Sequence, residues 1–530
     1  MIKRRAIEND KTNRLCIAFS DVYIWLRSSV DLFVFSEQYD LNLNVSATQF
    51  GSHTMDSGEW ESNTTSIQPW QLSEEVLRTN RESGVHNGTD FFFDVVVSHG
   101  TDTVVLQLKL TGNFIGSDMW HSVKGSGFDH PWRSDGSFYE QDLSFAGRDM
   151  TLKYQSALSG LYDDVTCVLH EKEPYPLDVS DLTQPNILNL MSYNIYCLTP
   201  PIAFTDQDER CRHIVDVCAN YDAVLIQEAF DNDSRINELI PNMSTVFPHY
   251  TAILDTANAL EDGGIMIFSR WPILAEEQYY FDACEGADCL ANKGVMYAKI
   301  EKLGSPYHLF ATHTQAFTST AEVLSRMAQL REIRSFVQSR GIPANEPIII
   351  GGDLNVDKLV NNMSEYDSLL SILTIQEPTY LGHPTTFDPS INYYASGTSE
   401  YLDYICAVPN PFLAVSTTNE PLIERSIHDD LWGYFDLSDH FAIHGRLVYS
   451  NAAETVESVM ETIFAYPNPA NDILHFSKQL DELSLISMEG KLILQEKRVS
   501  MVQLAALPKG IYFARYKDSG SAGTIRFFKN

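Results

Sequence analysis

The chain has 530 residues, 71 of them acidic and 37 basic, for a formal charge of -34. That length exceeds a single hydrophobic core and fits about three domains, and an apolar content of 44% is enough to fill them. The negative field repels polyanions and favours divalent cations, so a nucleic-acid partner is not expected.

Residues 1–35 read as an N-terminal segment. Met1 to Arg5 is basic, but the apolar run from Leu15 to Phe35 is broken by Ser20, Asp21, Arg27, Ser28, Ser29 and Asp31. It is a poor signal peptide and too polar to span a membrane. Residues 36–175 alternate in short runs, such as Phe91 to Val97 and Thr103 to Leu110, with Gly, Asn, Asp and Ser between them. This pattern predicts a β-sandwich accessory domain. Within it, His121, His130, Trp120 and Trp132 read as packing or surface residues.

Glu171 to Thr183 is a linker containing Pro, Asp and Glu. From about residue 185 to 449 strands alternate with helical stretches, which predicts an α+β or α/β catalytic domain. Ser319 with Glu322 makes a capping box for a helix whose stripe is Val323, Leu324, Met327, Leu330, Ile333 and Val337. Gly341 and Pro343 stop it. Ile348-Ile349-Ile350 is a buried strand, ended by Gly351 and Gly352 where the backbone must approach something closely. Residues 450–463 are an acidic linker, and 464–530 a small all-β domain. The eight cysteines include no CxxC pair, which argues against a thiolate zinc site. Cys284 and Cys289 share one loop and are candidates for a small disulfide in an exported protein, with free thiols as the alternative.

Polar residues recur where the apolar strands of 185–449 end. Asn194 follows Leu188 to Tyr193, Glu228 follows Val224 to Gln227, and His313 follows His308 to Thr312. Asp353 and Asn355 follow the Ile triplet, Asp403 lies in Tyr401 to Ile405, and Asp439 and His440 precede Phe441 to Ile443. Carboxylates, amides and imidazoles gathered in this way suit a phosphate ester held by a hard cation.

The order Asn194, Glu228, His313-Thr314-Gln315, Gly352-Asp353-Leu354-Asn355, Tyr401-Leu402-Asp403-Tyr404 and Ser438-Asp439-His440 resembles the DNase I-like endonuclease/exonuclease/phosphatase superfamily. More closely it is similar to bacterial sphingomyelinase C, through Asn292-Lys293-Gly294-Val295 and the stretches around His313, Asp353 and Asp403. The resemblance implies a four-layer αββα sandwich over about 187–449, and residue roles with it. Glu228 would be the main ligand of a catalytic Mg2+ (Mn2+ or Co2+ as alternatives), helped by Asn194. His440 would be the general base, with Asp439 as its neighbour in the motif and Asp403 orienting a histidine. Asp353 and Asn355 would polarise the phosphate, and His313 would donate to the charge on phosphorus. Asn232, Glu261 and Asp262 match an outer metal site. Trp432, Tyr434 and Phe435 fall where the family carries a membrane-inserting aromatic hairpin, here in a shorter and more acidic form.

Residues 464–530 resemble the C-terminal sorting domain of the type IX secretion route, through Tyr466-Pro467-Asn468-Pro469, Met488-Glu489-Gly490-Lys491 and Leu507 to Tyr512. That implies the type IX machinery as a partner and a secreted or outer-membrane-surface location. The function expected is Mg2+-dependent hydrolysis of sphingomyelin, in membranes or micelles, to ceramide and phosphocholine. The alternatives are another phosphoesterase of the same fold, a nuclease or inositol-polyphosphate phosphatase, or a lipid-binding toxin acting through the N-terminal domain. Oligomeric state is not legible.

Overall fold

The computed structural model describes residues 27–451 and 465–530, apart from 37–40, 57, 63–64, 72–73, 81–87, 113–116, 159–161, 173–178, 201, 256–260, 361–363 and 410–412 in the first span and 467–469, 488–490 and 519–520 in the second. Residues 1–26, residues 173–178 of the Glu171–Thr183 linker and all but 450–451 of the 450–463 linker therefore lie outside the described residues, as do Pro467 to Pro469 and Met488 to Gly490. The chain divides into two units, 1–451 and 452–530.

The first unit opens with two six-stranded sheets. One has the order Tyr139–Phe145, Arg148–Leu158, Tyr162–Glu171, Arg27–Phe35, Glu74–Asn80, Trp60–Glu61. The other runs Ser66–Ile67, Leu43–Phe50, Asp90–His99, Asp102–Gly112, Ser117–Gly125, Phe128–Asp129. Strand alternation packs them together. Phe91, Phe93, Val95 and Val97 face a shared core with Val104, Leu106, Leu108 and Leu152, and the residues between point outward. Arg27–Phe35 is a correction to the sequence reading. Ser29 and Asp31, two of the polar residues that interrupt the apolar run, alternate with Val30, Leu32 and Val34, which enter this core, in a strand paired on both edges.

The catalytic segment also has two sheets. The seven-stranded one runs His249–Tyr250, Met266–Ser269, Ala223–Ala229, Ile187–Cys197, Ala442–Asn451, Leu413–Leu422, Thr379–Tyr380. The five-stranded one runs Ile273–Tyr280, Gly294–Lys302, Ser305–His313, Ile348–Asp353, Asp403–Ala407. Ile187–Cys197 is buried along almost its whole length, its polar Asn189, Ser192 and Asn194 included. Its alternate side chains serve two cores. Leu188 and Leu190 share one with Leu309, Ile350 and Ile405 of the five-stranded sheet and with Leu330 and Ile333 of the helix Thr320–Ser339. Met191 and Tyr193 share the other with Cys211, Ile214 and Cys218 of the helix Gln207–Cys218. The fold is thus sheet-rich α+β with few helices.

The Ser319–Glu322 capping box is formed in both directions. Leu324 departs from the expected stripe: it is exposed, and Phe336 takes a core place instead. Cys284 and Cys289 form a disulfide.

The second unit is a sheet of Ala465–Tyr466, Ile473–Ser487, Gly510–Asp518 and Ser521–Lys529, with Leu492–Gln503 paired to Ile473–Ser487. Its core is built from Leu474, Leu483, Leu485, Val502, Ala514 and Phe527.

Candidate active site

Strand register assembles the site. His313 pairs across to Asp353, and Asp353 to Asp403, so three neighbouring strands present three polar ends side by side. Asn194 and Glu228 end two parallel neighbours in the other sheet. Gly352 must be glycine, because a Cβ there would collide with the Thr312 carbonyl. Glu228 and Asn355 sit in left-handed backbone, at φ of 58° and 49°, a conformation costly for non-glycine residues and found often at functional sites.

Asn194 is the hub. Its amide N–H2 donates to Glu228 Oε1 at 2.9 Å and to Asp353 Oδ2 at 3.0 Å, while its Oδ1 accepts from the Tyr196 N–H. The second Asp353 oxygen accepts from the Asn355 N–H at 2.9 Å. Asn355 also donates through Nδ2 to the Thr314 carbonyl. His313 Nε2 lies 3.6 Å from Asp353 and 3.8 Å from Glu228. His440 Nε2 lies 3.8 Å from Asp353 on its other side.

His440 is held through Nδ1, which is 2.9 Å from Asp403 Oδ2. The carboxylate backing this imidazole is therefore Asp403. Asp439, its neighbour in the motif, instead accepts from the Ser438 hydroxyl. Burial alone would lower the His440 pKa, but Asp403, Asp353 and Asp439 outweigh it and hold the pKa well above the usual histidine value. His313 is opposite. Burial, with Lys293 and His440 nearby, pushes it well below that value. Lys293 Nζ lies 3.1 Å from His313 Nε2 and donates to Asp288 and to the Thr314 carbonyl. In the sequence, Lys293 stands out only as part of the Asn292-Lys293-Gly294-Val295 stretch. Its burial to 7% exposure beside His313 marks it as part of the site.

The carboxylates outnumber the cationic groups near them, and the pull of His440 does not offset burial and mutual repulsion. Burial and the nearby Asp439 push Glu228 up to about 7, and burial and Asp403 push Asp353 up to about 6. Burial raises Asp439 too. Glu228, His313 and Asp353 also place one ligand atom each within 4.8 Å of one another. Carboxylate oxygens whose ionisation is suppressed only by burial and mutual repulsion fit a hard divalent cation.

The site opens into a cleft of about 860 Å³. Its floor is Glu228, His313, Asp353, Asn355, Asp439 and His440. Its walls include Ile202, Leu290, Phe317 and Val360, which are 68%, 53%, 62% and 49% exposed.

Two expected sets are placed differently. Asn232 Oδ1 and Asp262 Oδ2 both accept from the Arg235 guanidinium, at 3.0 and 2.9 Å, and Glu261 accepts from Thr199. A side-chain cation thus lies between two of the three residues expected at an outer metal. Trp432, Tyr434 and Phe435, expected as membrane anchors, are only 5%, 8% and 2% exposed. The N-terminal sandwich covers the loop: Phe435 packs on Phe33 and Phe35, and Trp432 on Phe138. Tyr434 packs on Tyr393. Nothing in the local sequence announces that cover.

Residues 191–440 match the endonuclease/exonuclease/phosphatase family, and 464–530 match the secretion system C-terminal sorting domain. A sphingomyelinase C of Bacillus cereus is 37% identical over 253 residues, 42% of this chain and 76% of that protein. The chain belongs to the sphingomyelinase C family. A Listeria ivanovii member is 33% identical over 49% of this chain and 86% of its own length. A crystal structure of beta toxin from Staphylococcus aureus with bound magnesium ions has 32% identity and a TM-score of 0.45, covering 49% of this chain and 98% of that one. Membership in the sphingomyelinase C family makes the catalytic segment that of a phosphodiesterase or phosphatase, and the type IX sorting domain makes the chain a secreted or cell-surface protein.

Proposed function

We propose that this chain is a secreted, Mg2+-dependent phosphodiesterase that hydrolyses sphingomyelin to ceramide and phosphocholine, on a four-layer αββα catalytic domain. The observation that carries the reading is the cleft itself. An oxygen-rich, imidazole-flanked floor lies at the bottom of a mouth with exposed apolar side chains. A phosphodiester linked to acyl and sphingoid chains matches both halves, whereas DNA or an inositol polyphosphate matches only the floor. The charge of -34 further disfavours those polyanions.

Glu228 is the principal metal ligand, and Asn194 orients it against Asp353. When bound, the cation would supply Lewis-acid polarisation of a phosphoryl oxygen and positive charge beyond that of His440 to offset Glu228, Asp353 and Asp439. Once a cation offsets part of the carboxylate charge that raises its pKa, His440 would take a proton at Nε2 from the attacking water, while Asp403 keeps the other ring nitrogen protonated and the ring in place. The water oxygen bonds to phosphorus as the bond from phosphorus to the ceramide oxygen breaks, and that oxygen takes a proton from solvent in the cleft while His440 later returns its own to solvent. Asp353 and Asn355 position the phosphate. His313, with Lys293 behind it, faces the developing charge.

Product release at saturating Mg2+ from sphingomyelin, phosphatidylcholine, plasmid DNA and an inositol phosphate tests the reading. Phosphocholine from sphingomyelin, well above all other turnover, is expected. Preferential cleavage of DNA or the inositol phosphate would replace the substrate, and binding of sphingomyelin vesicles without turnover would favour a lipid-binding role.

A further inference from the structure

We propose that His213, Asp216 and His428 form a zinc site, separate from the catalytic floor. His213 and Asp216 stand three residues apart on the helix Gln207–Cys218, so they share a face. His428 comes from the loop that leads into the short turn Asp429–Leu431. Asp216 Oδ2 lies 3.3 Å from His213 Nδ1 and 3.1 Å from His428 Nε2. Those separations are close to the edge of a tetrahedron with bonds of about 2.0–2.1 Å to a central ion.

A second carboxylate supplies the independent argument. The other nitrogen of His213, Nε2, faces Asp430 Oδ1 at 2.9 Å, and Arg212 holds Asp430 at 2.7 Å. This is how a metal-ligating imidazole is usually backed: the carboxylate takes the Nε2–H and leaves the Nδ1 lone pair for the ion. The two imidazole rings stack, 3.8 Å apart and 11° from parallel, so His428 must turn for both nitrogens to face one ion. The His428 and Asp216 side chains are 54% and 52% exposed, so both have room to turn toward an ion. The cluster borders a cavity of about 710 Å³, which leaves a fourth position for water. Two imidazoles with one carboxylate select Zn2+ over Mg2+, the reverse of the oxygen-rich Glu228 site.

An ion there fastens a catalytic-domain helix to the loop on which the sandwich sits. The next residue after His428, Asp429, receives Lys153 Nζ of the sandwich at 2.7 Å. The test uses the full chain dialysed against Zn2+ with Mg2+ in excess. Zinc content is read by elemental analysis, and the Co2+-substituted protein by its visible d–d bands. Wild type and Glu228→Ala are expected to retain one zinc. His428→Ala is expected to lose it, with zinc affinity weaker by about tenfold or more and no tetrahedral Co2+ bands. His428 is half exposed, so its variant is expected to melt like wild type in EDTA, and zinc raises the melting temperature of wild type alone. Equal zinc content in wild type and His428→Ala, or a zinc that disappears in Glu228→Ala, overturns the proposal.

Discussion

Asp429 to Phe435 and Leu437 to His440 are consecutive in the chain and meet different surroundings. The first carries three aromatic rings, and Trp432 and Phe435 lie under the N-terminal sandwich among Phe33, Phe35 and Trp70. Arg425 fixes that arrangement, pairing with Asp436 at 2.6 Å and lying over Phe35. The second carries one imidazole aimed into an open cleft. One segment is committed to packing and the other to chemistry, and the boundary between them is a single residue, Asp436. Aromatic content alone does not mark a membrane anchor, because a domain far away in sequence decides what those rings touch.

The comparison breaks most visibly at His440. His440→Ala and Asp403→Asn are each expected to lower kcat by about 10²–10⁴-fold with circular dichroism and melting temperature near wild type. Near-wild-type turnover in either would remove the general-base assignment. Trp432→Ala tests the packing side. Truncating a buried Trp is expected to cost about 3–5 kcal/mol and lower the melting temperature, while vesicle binding per folded molecule stays unchanged. Loss of vesicle binding at unchanged stability would restore the anchor role. Lys153 is 5% exposed and donates to the Ile427 carbonyl and Asp429. Lys153→Ala is expected to cost about 0.5–1.5 kcal/mol in urea melts, since it removes hydrogen bonds to the half-buried Ile427 carbonyl and the exposed Asp429 carboxylate, with kcat on micellar substrate retained.

A smaller effect is pH-dependent. Asp388 resists the rise that burial imposes, because hydrogen bonds from His383, Ser390 and Ser399 hold its carboxyl below the ordinary range. A depressed folded pKa gives stability that is present above the unfolded value of about 4 and lost as pH falls through the folded one. Asp388→Asn is expected to flatten that acid limb of the stability curve. An unchanged limb would mean that other carboxylates dominate it.

Much of the catalytic floor was legible because strand ends are local features. An apolar run followed by a carboxylate, amide or imidazole reads the same before and after folding, and Glu228, His313, Asp353 and His440 converge as that pattern implies. Long-range placement was not legible. Asp403 backs His440 as a histidine-orienting residue should, but that reading comes from the family resemblance and not from a local pattern, and the motif neighbour Asp439 bonds Ser438 instead. Lys293 carried a signal only in its position beside Gly294, the first residue of a strand, where a Cβ would strike the Tyr279 carbonyl. Arg235 between Asn232 and Asp262, and the sandwich over Trp432, depend on contacts no local pattern encodes.

The central claim is that Glu228 holds the cation on which phosphodiester cleavage depends. Phosphocholine release from sphingomyelin, titrated with Mg2+ after EDTA treatment in wild type and Glu228→Ala, tests it most directly. The account predicts no release in EDTA, saturable activation of wild type, and a shift of the Glu228→Ala curve to much higher Mg2+ or its loss. Release that persists in EDTA, or identical Mg2+ curves for the two proteins, would contradict it.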